Sequence, residues 1–388
     1  MASNMRKGKI PYRTTGVGKY VDETFTLGGF FGDWAHLFRR HNLAHPVRWS
    51  DPRLMYAGLD GSTLEPTDAI DPRGAPMRLL EGDGVAVSVS HRAQPMPFAE
   101  KNVDFHQVRF YDRGRWLVET ELGALEAEPG DFVVLPKGLI YRERPLQSEG
   151  NVAWVFETAS PVQPAESLWD SVGFVGMFID YSEMDVPEPG GEEDGGETEV
   201  RVLVDGEEHF LTYDFDPCRD VVGWVGDPVV FKMSAWAVPA PGTSRGHLPP
   251  PAHAVLWSDD RSFFFNAMAF APFPNTPAPD GSIGAPSHAN DYDEVWITHA
   301  SAMAPEGHLW LLPRTIPHPG FKRPPFYPQG DVEPLREMRI NFDTKATLRW
   351  SDAAREALFD APISALYTSF MGVPLKYAPP NVRERAGA

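Results

Sequence analysis

Hydrophobic and polar residues alternate along much of the chain with a period of two, which is typical of β-strands. The alternation begins at about residue 83 with VAVSVSH and continues through FHQVRFYDRGRWLVETELGALEAEPGDFVVLP. Turn sequences interrupt it at DRGR, LGA and EPGD. This part of the chain is therefore predicted to form a meander or barrel of short strands.

The pattern breaks and resumes beyond residue 185. The segment DVPEPGGEEDGGETE (185–199) is rich in charge, glycine and proline, which indicates an exposed, mobile loop. Asp205 and Gly206 then separate two alternating runs and predict a β-hairpin. Further strands are expected in DPVVFKMSAWAV, HAVLW and SFFFNAMAFAPF. Helical signals are short: Ser351 is a candidate N-cap for SDAAREALFD (351–360), and FGDWAHLFRRHN (31–42) carries apolar residues at helical spacing.

One sequence frame occurs twice, at an offset of 177 residues: EPGDFVVLPKGLIY (128–141) and PEGHLWLLPRTIPH (305–318). The matched positions are Gly130 and Gly307, Pro136 and Pro313, and Tyr141 and His318. Each copy predicts a turn glycine, a strand of about five residues, a proline-marked second turn and a side chain at the start of the next strand.

The repeated frame resembles the second cupin motif, glycine then proline then glycine then histidine, in which the histidine is a metal ligand. The first copy keeps Gly138 but has Tyr141 at the ligand position, whereas the second has Thr315 for the glycine and keeps His318. We therefore expect a mainly β fold of two cupin-like, jelly-roll type β-barrels with few short helices. Residues 1–235 would form a metal-free barrel with the acidic loop 185–199, and residues 236–388 a barrel that carries the metal site. The alternative is a coincidence of two turn-strand-turn segments.

Composition narrows the function classes. A chain of 388 residues favours two domains, and 39 Pro with 34 Gly exclude a helix-dominated fold. A net charge of −19 disfavours nucleic acid and anionic membranes as partners. Cys218 is the single cysteine, so an intramolecular disulfide and a CxxC metal site are excluded. Without an apolar run that predicts an export signal or membrane helix, a cytoplasmic location is expected.

Candidate chemistry lies in HANDYDE (288–294), where His288 and Glu294 are six positions apart. With 12 His and 54 acidic residues, any fixed spacing after a histidine gives about two carboxylates by chance, so the pair alone is weak evidence. His318 in the second frame would complete a set of two imidazoles and one carboxylate. Such a triad leaves coordination positions open on Fe(II) for substrate and O₂. The same trio could hold zinc, but no HExxH helix or GxxxxGK[ST] loop occurs.

Several stretches, taken in order, resemble the homogentisate 1,2-dioxygenases. They are VDETFTLGGFFGDWAHLFRRHNLAHPVRW, GRWLVETELGALEAEPGDFVVLPKG, DVVGWVGDPVVFKMSAW, HANDYDE and IPHPG. The resemblance implies that His288, Glu294 and His318 bind Fe(II). It also implies that His247 in GHLPPPAHAVL is the general base, with His253 as the competing candidate.

Two further site residues concern the substrate. The family usually has a substrate-contacting tyrosine nine positions after the glutamate ligand, and this chain has Met303 there. Arg314, together with Lys322 and Arg323, is a candidate partner for a substrate carboxylate.

The expected function is a ring-cleaving dioxygenase that converts homogentisate and O₂ to 4-maleylacetoacetate, in tyrosine and phenylalanine catabolism. Alternatives are the same chemistry on another hydroquinone-type substrate such as gentisate, or a bicupin that binds a metal or ligand without redox turnover. The expected partners are a small aromatic acid and O₂. The resemblance further implies a homo-oligomer, a trimer or a dimer of trimers.

Overall fold

The structure is a computed structural model that describes most of the chain between residues 21 and 360. The described residues are 21–41, 43, 46, 48–165, 180–190, 196–237, 242–243, 246–247, 253–270, 283–284, 287–300, 306–318, 322–323 and 337–360.

Short β-strands account for most of the regular structure, as the alternating pattern predicts. The strands before residue 235 are β1 (Val21–Thr26), β2 (Trp34–Arg39), β3 (Ala57–Asp60), β4 (Met77–Gly82), β5 (Val85–Ser90), β6 (Ala99–Asn102), β7 (His106–Arg113), β8 (Trp116–Thr120), β9 (Gly123–Ala127), β10 (Asp131–Leu135), β11 (Ile140–Pro145), β12 (Val152–Thr158), β13 (Gln163–Pro164), β14 (Met184–Asp185), β15 (Thr198–Val204), β16 (Glu207–Tyr213) and β17 (Phe231–Ser234). Those after it are β18 (Gly242–Thr243), β19 (Gly246–His247), β20 (Ala254–Trp257), β21 (Phe263–Phe270), β22 (Ile283–Gly284), β23 (Ser287–Ala289), β24 (Asp293–Ala300), β25 (His308–Leu312), β26 (Lys322–Arg323), β27 (Glu337–Thr344) and β28 (Arg349–Trp350).

Helical structure is brief. The described helical segments are α1 (Asp352–Arg355) and 3₁₀ turns at Pro52–Leu54, Gly61–Thr63, Thr67–Ala69, Tyr181–Glu183 and Ala235–Ala237. The prediction of a mainly β fold with few short helices is confirmed. No helix within the described ranges is both long and apolar enough to span a membrane.

Three large sheets organise the described strands. One has eight strands in the order β14-β17-β10-β7-β12-β5-β4-β28, and a second has six in the order β16-β15-β6-β11-β8-β9. The third has seven in the order β13-β20-β21-β27-β24-β25-β3. Smaller sheets are β2-β1-β23, β18-β19 and β22-β26.

The eight-stranded and seven-stranded sheets contribute to one continuous aromatic core. Phe156 of β12 lies 5.0 Å from Phe265 and 5.2 Å from Phe342, measured between ring centroids. Phe132 of β10 lies 5.8 Å from Phe265. Because side chains alternate along a strand, the residues between these phenylalanines point to the opposite face of each sheet.

On the opposite face of the eight-stranded sheet, apolar side chains pack against the six-stranded sheet. Val133 and Leu135 of β10 share a buried cluster with Trp116 and Val118 of β8. The two sheets thus enclose the interior of a first barrel, in agreement with the predicted cupin-like architecture.

Strands are exchanged across the predicted domain boundary at residue 235. β3 and β13, from before the boundary, pair with β25 and β20 of the seven-stranded sheet. β28, from after it, pairs with β4 of the eight-stranded sheet. The division into 1–235 and 236–388 stays a prediction of the sequence. The described part of the acidic loop follows β14 and is mostly exposed.

Local signals explain several elements, and one was misleading. The hairpin at Asp205 and Gly206 is present between β15 and β16, and both residues have positive φ as a tight turn requires. Ser351 caps α1 by accepting a hydrogen bond from Ala354 N. The helical spacing in residues 31–42 does not produce a helix: Trp34–Arg39 forms β2, because it pairs along its whole length with β1.

Candidate metal centre

Two backbone contacts bring the predicted ligands together. His288 and His318 form an isolated antiparallel bridge, with N–H to O=C distances of 3.1 and 3.0 Å. β1 supports this arrangement because it pairs in parallel with β23, placing Thr24 beside His288. Glu294 enters on β24, one turn after His288, and that turn is closed by the Tyr292 N–H donating to the Asn290 side chain at 2.7 Å.

The three side chains converge on one point. The Nε2 atoms of His288 and His318 are 2.9 Å apart. Glu294 places Oε1 3.5 Å from His288 Nε2 and Oε2 3.4 Å from His318 Nε2. Ligand atoms at right angles around a metal at about 2.1 Å lie about 3 Å from one another. The donor set and spacing therefore fit one divalent cation, and this is the single such group of three among the residues that the structure describes.

Neighbouring side chains hold the ligands in place. Asn290 Nδ2 donates to Glu294 Oε1 at 2.6 Å, and Trp296 Nε1 donates to Oε2 at 3.0 Å. The Trp296 ring also lies edge-on to His318, with centroids 5.1 Å apart. Phe30 packs on His288 at 5.2 Å. These contacts orient the ligands before any metal binds, which is the usual role of groups surrounding a metal site.

Electrostatics favour the metal-binding protonation states. Burial opposes ionisation of Glu294, but the charges and hydrogen bonds of His318 and His288 outweigh it and hold the pKa of Glu294 below its usual range. Burial lowers the pKa of His318, against the opposing effect of Glu294. Each shift taken by itself favours a form that coordinates metals: the carboxylate at Glu294 and the neutral imidazole at His318.

The first barrel has the same strand frame with different side chains. The backbone pairing of Tyr141 with Glu100 matches the bridge between His318 and His288. Likewise, the pairing of Gln107 with Leu135 matches that of Glu294 with Leu312. The first-barrel counterparts of His288, Glu294 and His318 are thus Glu100, Gln107 and Tyr141.

A guanidinium occupies the centre of this first-barrel cluster. Arg109 donates to the Tyr141 hydroxyl at 2.6 Å and forms a buried ion pair with Glu143. The Tyr141 hydroxyl also lies 2.5 Å from Glu100 Oε1 and 2.8 Å from Gln107 Oε1. Arg109 thus supplies a fixed positive charge to Tyr141, Gln107 and Glu143, whereas Glu100 pairs with Arg201. That the first barrel is metal-free stays a prediction.

The repeated frame is reproduced in backbone conformation. Gly130 and Gly307 have φ of 99° and 80°, and each precedes a five-residue strand, β10 or β25. Gly138 and Thr315 occupy the matched second turn with φ of 85° and 61°. Thr315 thus keeps a left-handed conformation although it lacks the freedom of glycine.

The other predicted site residues do not all join the centre. Arg314 is held by Asp293: its Nε donates to Asp293 Oδ1 at 3.0 Å. Since Asp293 and Glu294 are consecutive on β24, they point to opposite faces. His253 is buried, 1% exposed.

Four other residues are described incompletely or not at all. His247 ends β19, whose backbone pairs with β18, and Lys322 and Arg323 form β26, which pairs with β22. Met303 lies outside the described residues. The roles of Met303, Arg314 and His247 stay predictions.

The sequence did not predict the contributions of Asn290, Trp296 and Asp343. Asn290 had a local signal, because Asn after an extended residue commonly closes a turn through its side chain. Trp296 had another, since it lies two positions after Glu294 on the same strand face. Asp343 has no local signal: it reaches Glu294 only through the pairing of β24 with β27. Burial and the Glu294 charge raise the pKa of Asp343 well above its ordinary value.

The chain is distantly related in sequence to curated dioxygenases. It is 24% identical over 278 residues to a protein of Saccharolobus solfataricus named "Putative dioxygenase", covering 66% of this chain and 70% of that protein. It is 27% identical over 232 residues to the homogentisate 1,2-dioxygenase of Pseudomonas entomophila, and 24% identical over 241 residues to that of Pseudomonas putida. The matches span 59% and 61% of this chain but only 51% and 54% of those two relatives. No protein-family model matches the chain.

Solved structures give weak overall likeness. A cupin-2 domain protein from Shewanella frigidimarina covers 22% of this chain with a TM-score of 0.20 and 14% identity. The Ylba protein from E. coli covers 74% with a TM-score of 0.35 and 8% identity. The fold assignment accordingly rests on the sheets themselves.

Proposed function

We propose that the chain is a non-haem Fe(II) dioxygenase that cleaves the ring of a hydroquinone-type aromatic acid, with homogentisate and O₂ giving 4-maleylacetoacetate. The observation that carries the proposal is the convergence of His288, Glu294 and His318 within 3.5 Å of one another, in a chain distantly related to dioxygenases. Both atoms of O₂ enter the product, so no external reductant is needed.

The three residues would hold Fe(II) by two imidazole nitrogens and one carboxylate. Bound there, the metal supplies open positions for the substrate oxygen and O₂ and the electrons to couple them. The chain contributes orientation and exclusion of water: Phe30 and Trp296 flank the ligands with aromatic surface, and the three ligands are at most 9% exposed. A dry site strengthens every charge interaction that aligns the ring.

A base is needed to take the phenolic proton, and we propose His247 for this role. An imidazole with its usual pKa near neutrality can accept that proton and return it later. The backbone of His247 lies in β19, in the segment that leads into β20 of the sheet carrying Glu294. His253 is the second candidate in the same segment.

Two alternatives are separated by experiment rather than by geometry. Gentisate or another para-diol would use the same triad, and Met303 in place of the expected tyrosine motivates that choice. A bicupin that binds a metal without redox turnover would use it too. Metal analysis of protein purified without oxygen tests the latter, because zinc in place of iron would favour it.

Oxygen consumption by Fe(II)-reconstituted protein measures the proposed activity directly. With homogentisate, gentisate and hydroquinone in turn, we expect uptake that is fastest with homogentisate. His288→Ala should lose both iron and turnover, whereas His247→Ala should keep iron and lose turnover by about 10²–10⁴-fold.

His209→Ala provides the matched control, since His209 is exposed on β16 of the six-stranded sheet, whereas Glu294 lies on β24 of the seven-stranded sheet. Its uptake should equal that of wild type. Absence of uptake with all three diols would refute the proposal, and uptake with gentisate alone would replace the substrate.

A further inference from the structure

The sheet face that carries Glu294 continues into the second barrel as a buried polar surface. In the register between β24 and β27, Glu294 lies opposite Asp343, Trp296 opposite Asn341 and Thr298 opposite Arg339. Side chains of directly opposed residues share one face. The intervening residues, Val295, Ile297, Ile340 and Phe342, belong to the core between the two large sheets. Arg339 therefore lies on the face of the metal centre, four residues along β27 from Asp343.

Three polar atoms on this face lack hydrogen-bond partners in the described part of the chain. Asn266 pairs with Asn341 across β21 and β27, and both side chains are at most 2% exposed. The Oδ1 atoms of Asn266 and Asn341 and the Oγ1 atom of Thr298 are buried without a partner among those residues. An unsatisfied buried polar atom is destabilising because it has given up its hydrogen bonds to water. The two amide oxygens accept hydrogen bonds and would repel a carboxylate, whereas the Thr298 hydroxyl, directly opposite Arg339, can donate to one.

The first barrel provides an internal comparison. In the first barrel, β12 pairs with β7 in the same register as β27 pairs with β24 in the second. Ala153 of β12 therefore corresponds to Arg339, and Val155 corresponds to Asn341. Their partners Tyr111 and Arg109 correspond to Thr298 and Trp296. Ala153 is part of the apolar cluster that fills the first barrel. The frame thus accepts a small apolar side chain at this position, and the second barrel places a 3%-exposed arginine there instead.

Spacing matches a small substituted ring. Four residues of β-strand separate the α-carbons of Asp343 and Arg339 by about 13 Å. An arginine side chain extended along this face, and a ring held at the triad, would together span that gap. A planar guanidinium binds a carboxylate with two parallel hydrogen bonds.

We propose that Arg339, with the hydroxyl of Thr298, forms the subsite that binds the carboxylate of the substrate. This inference rests on the proposed function for the identity of the ring, and it assigns substrate-carboxylate binding to Arg339 rather than to Arg314. The carboxylate lies at the arginine end of the face, and the ring hydroxyls lie at the Glu294 end.

The test uses two probes that carry no ring hydroxyl and are not turned over: phenylacetate and its uncharged analogue 2-phenylethanol. In calorimetric titrations of the Fe(II)-loaded full chain, we expect phenylacetate to bind at least about tenfold more tightly. Arg339→Met and the more polar Arg339→Gln should lower phenylacetate affinity by about tenfold or more and leave 2-phenylethanol unchanged, with iron content retained. Arg349→Met, which removes an exposed arginine from β28, is the matched control and should change neither.

Several outcomes overturn the proposal. If wild type binds both probes equally, the proposal is overturned whether or not the variants fold. Unaltered phenylacetate affinity in either folded Arg339 variant also overturns it. Because the probes bind without reaction, the result is independent of oxygen uptake. Failure of uptake with intact phenylacetate selectivity would reject the dioxygenase and keep the subsite. A complementary readout is the KM of the Arg339 variants, which should rise for homogentisate and not for hydroquinone.

Discussion

Trp296 is the residue whose role is easiest to isolate, because it touches two ligands without binding metal itself. Its indole N–H donates to Glu294 and its ring packs on His318. Trp296→Phe keeps the ring and removes the donor. We expect iron affinity to fall by about 10–100-fold with little loss of stability, measured by competition with a chelator. Trp236→Phe, on a half-exposed indole outside the centre, should bind iron as wild type does. Unchanged affinity in Trp296→Phe would show that the hydrogen bond does not orient Glu294.

At the scale of single residues, the sequence predicted what lies in short motifs. HANDYDE and the second frame identify His288, Glu294 and His318, and the structure brings these three together. The sequence did not predict Arg339, because no motif lies near that position. Arg339 is linked to Glu294 only through the register of the β-sheet. Arg314 illustrates the converse: it is close to His318 in sequence, but strand alternation places its partner Asp293 on the opposite face from Glu294.

At the scale of elements, the repeated turn-strand-turn frame allows a reciprocal test of backbone strain. Gly138 and Thr315 occupy matched turns with positive φ. A β carbon added at Gly138 would meet no atom within 4 Å, so Gly138→Thr should destabilise through backbone conformation alone, by about 1–2 kcal/mol. Thr315→Gly should be neutral or stabilising by less than about 1 kcal/mol, since relief of strain is offset by the greater entropy of unfolded glycine. Denaturant titration measures both, and a stabilising Gly138→Thr would contradict the matched conformations.

Element prediction succeeded where local chemistry decides the conformation. The hairpin at Asp205–Gly206 and the N-cap at Ser351 need only neighbouring residues, and both are present. It failed at residues 34–39, where apolar residues occur at helical spacing. There, pairing with β1 determines the structure, and Trp34 is left 62% exposed in the strand. Tertiary pairing of this kind has no counterpart in local periodicity.

At the scale of the whole molecule, exchanged strands and the continuous aromatic core link the two halves of the described chain. β3 and β28 each pair with a sheet built mainly from the other half. We therefore expect one cooperative unfolding transition rather than two. Alkylation of Cys218 can follow this unfolding transition from the first barrel, because the residue is only 7% exposed. Burial raises the pKa of its thiol to about 12, against the opposing charge of Arg142. A thiol of this kind reacts with alkylating reagents only after unfolding.

Cooperativity of this kind makes Cys218 sensitive to a metal bound in the other half. Fe(II) that binds the native triad and not the unfolded chain stabilises by an amount that grows with metal concentration, about 2.7 kcal/mol at one hundred times the dissociation constant. We expect iron to raise the denaturant midpoint for alkylation of Cys218 together with the midpoint for loss of tryptophan fluorescence, and a chelator to reverse both. Glu294→Gln should abolish the iron effect on each signal while leaving the two midpoints coincident. If alkylation of Cys218 ignored iron while fluorescence responded, the halves would unfold independently, and the strand exchange would contribute little to their coupling.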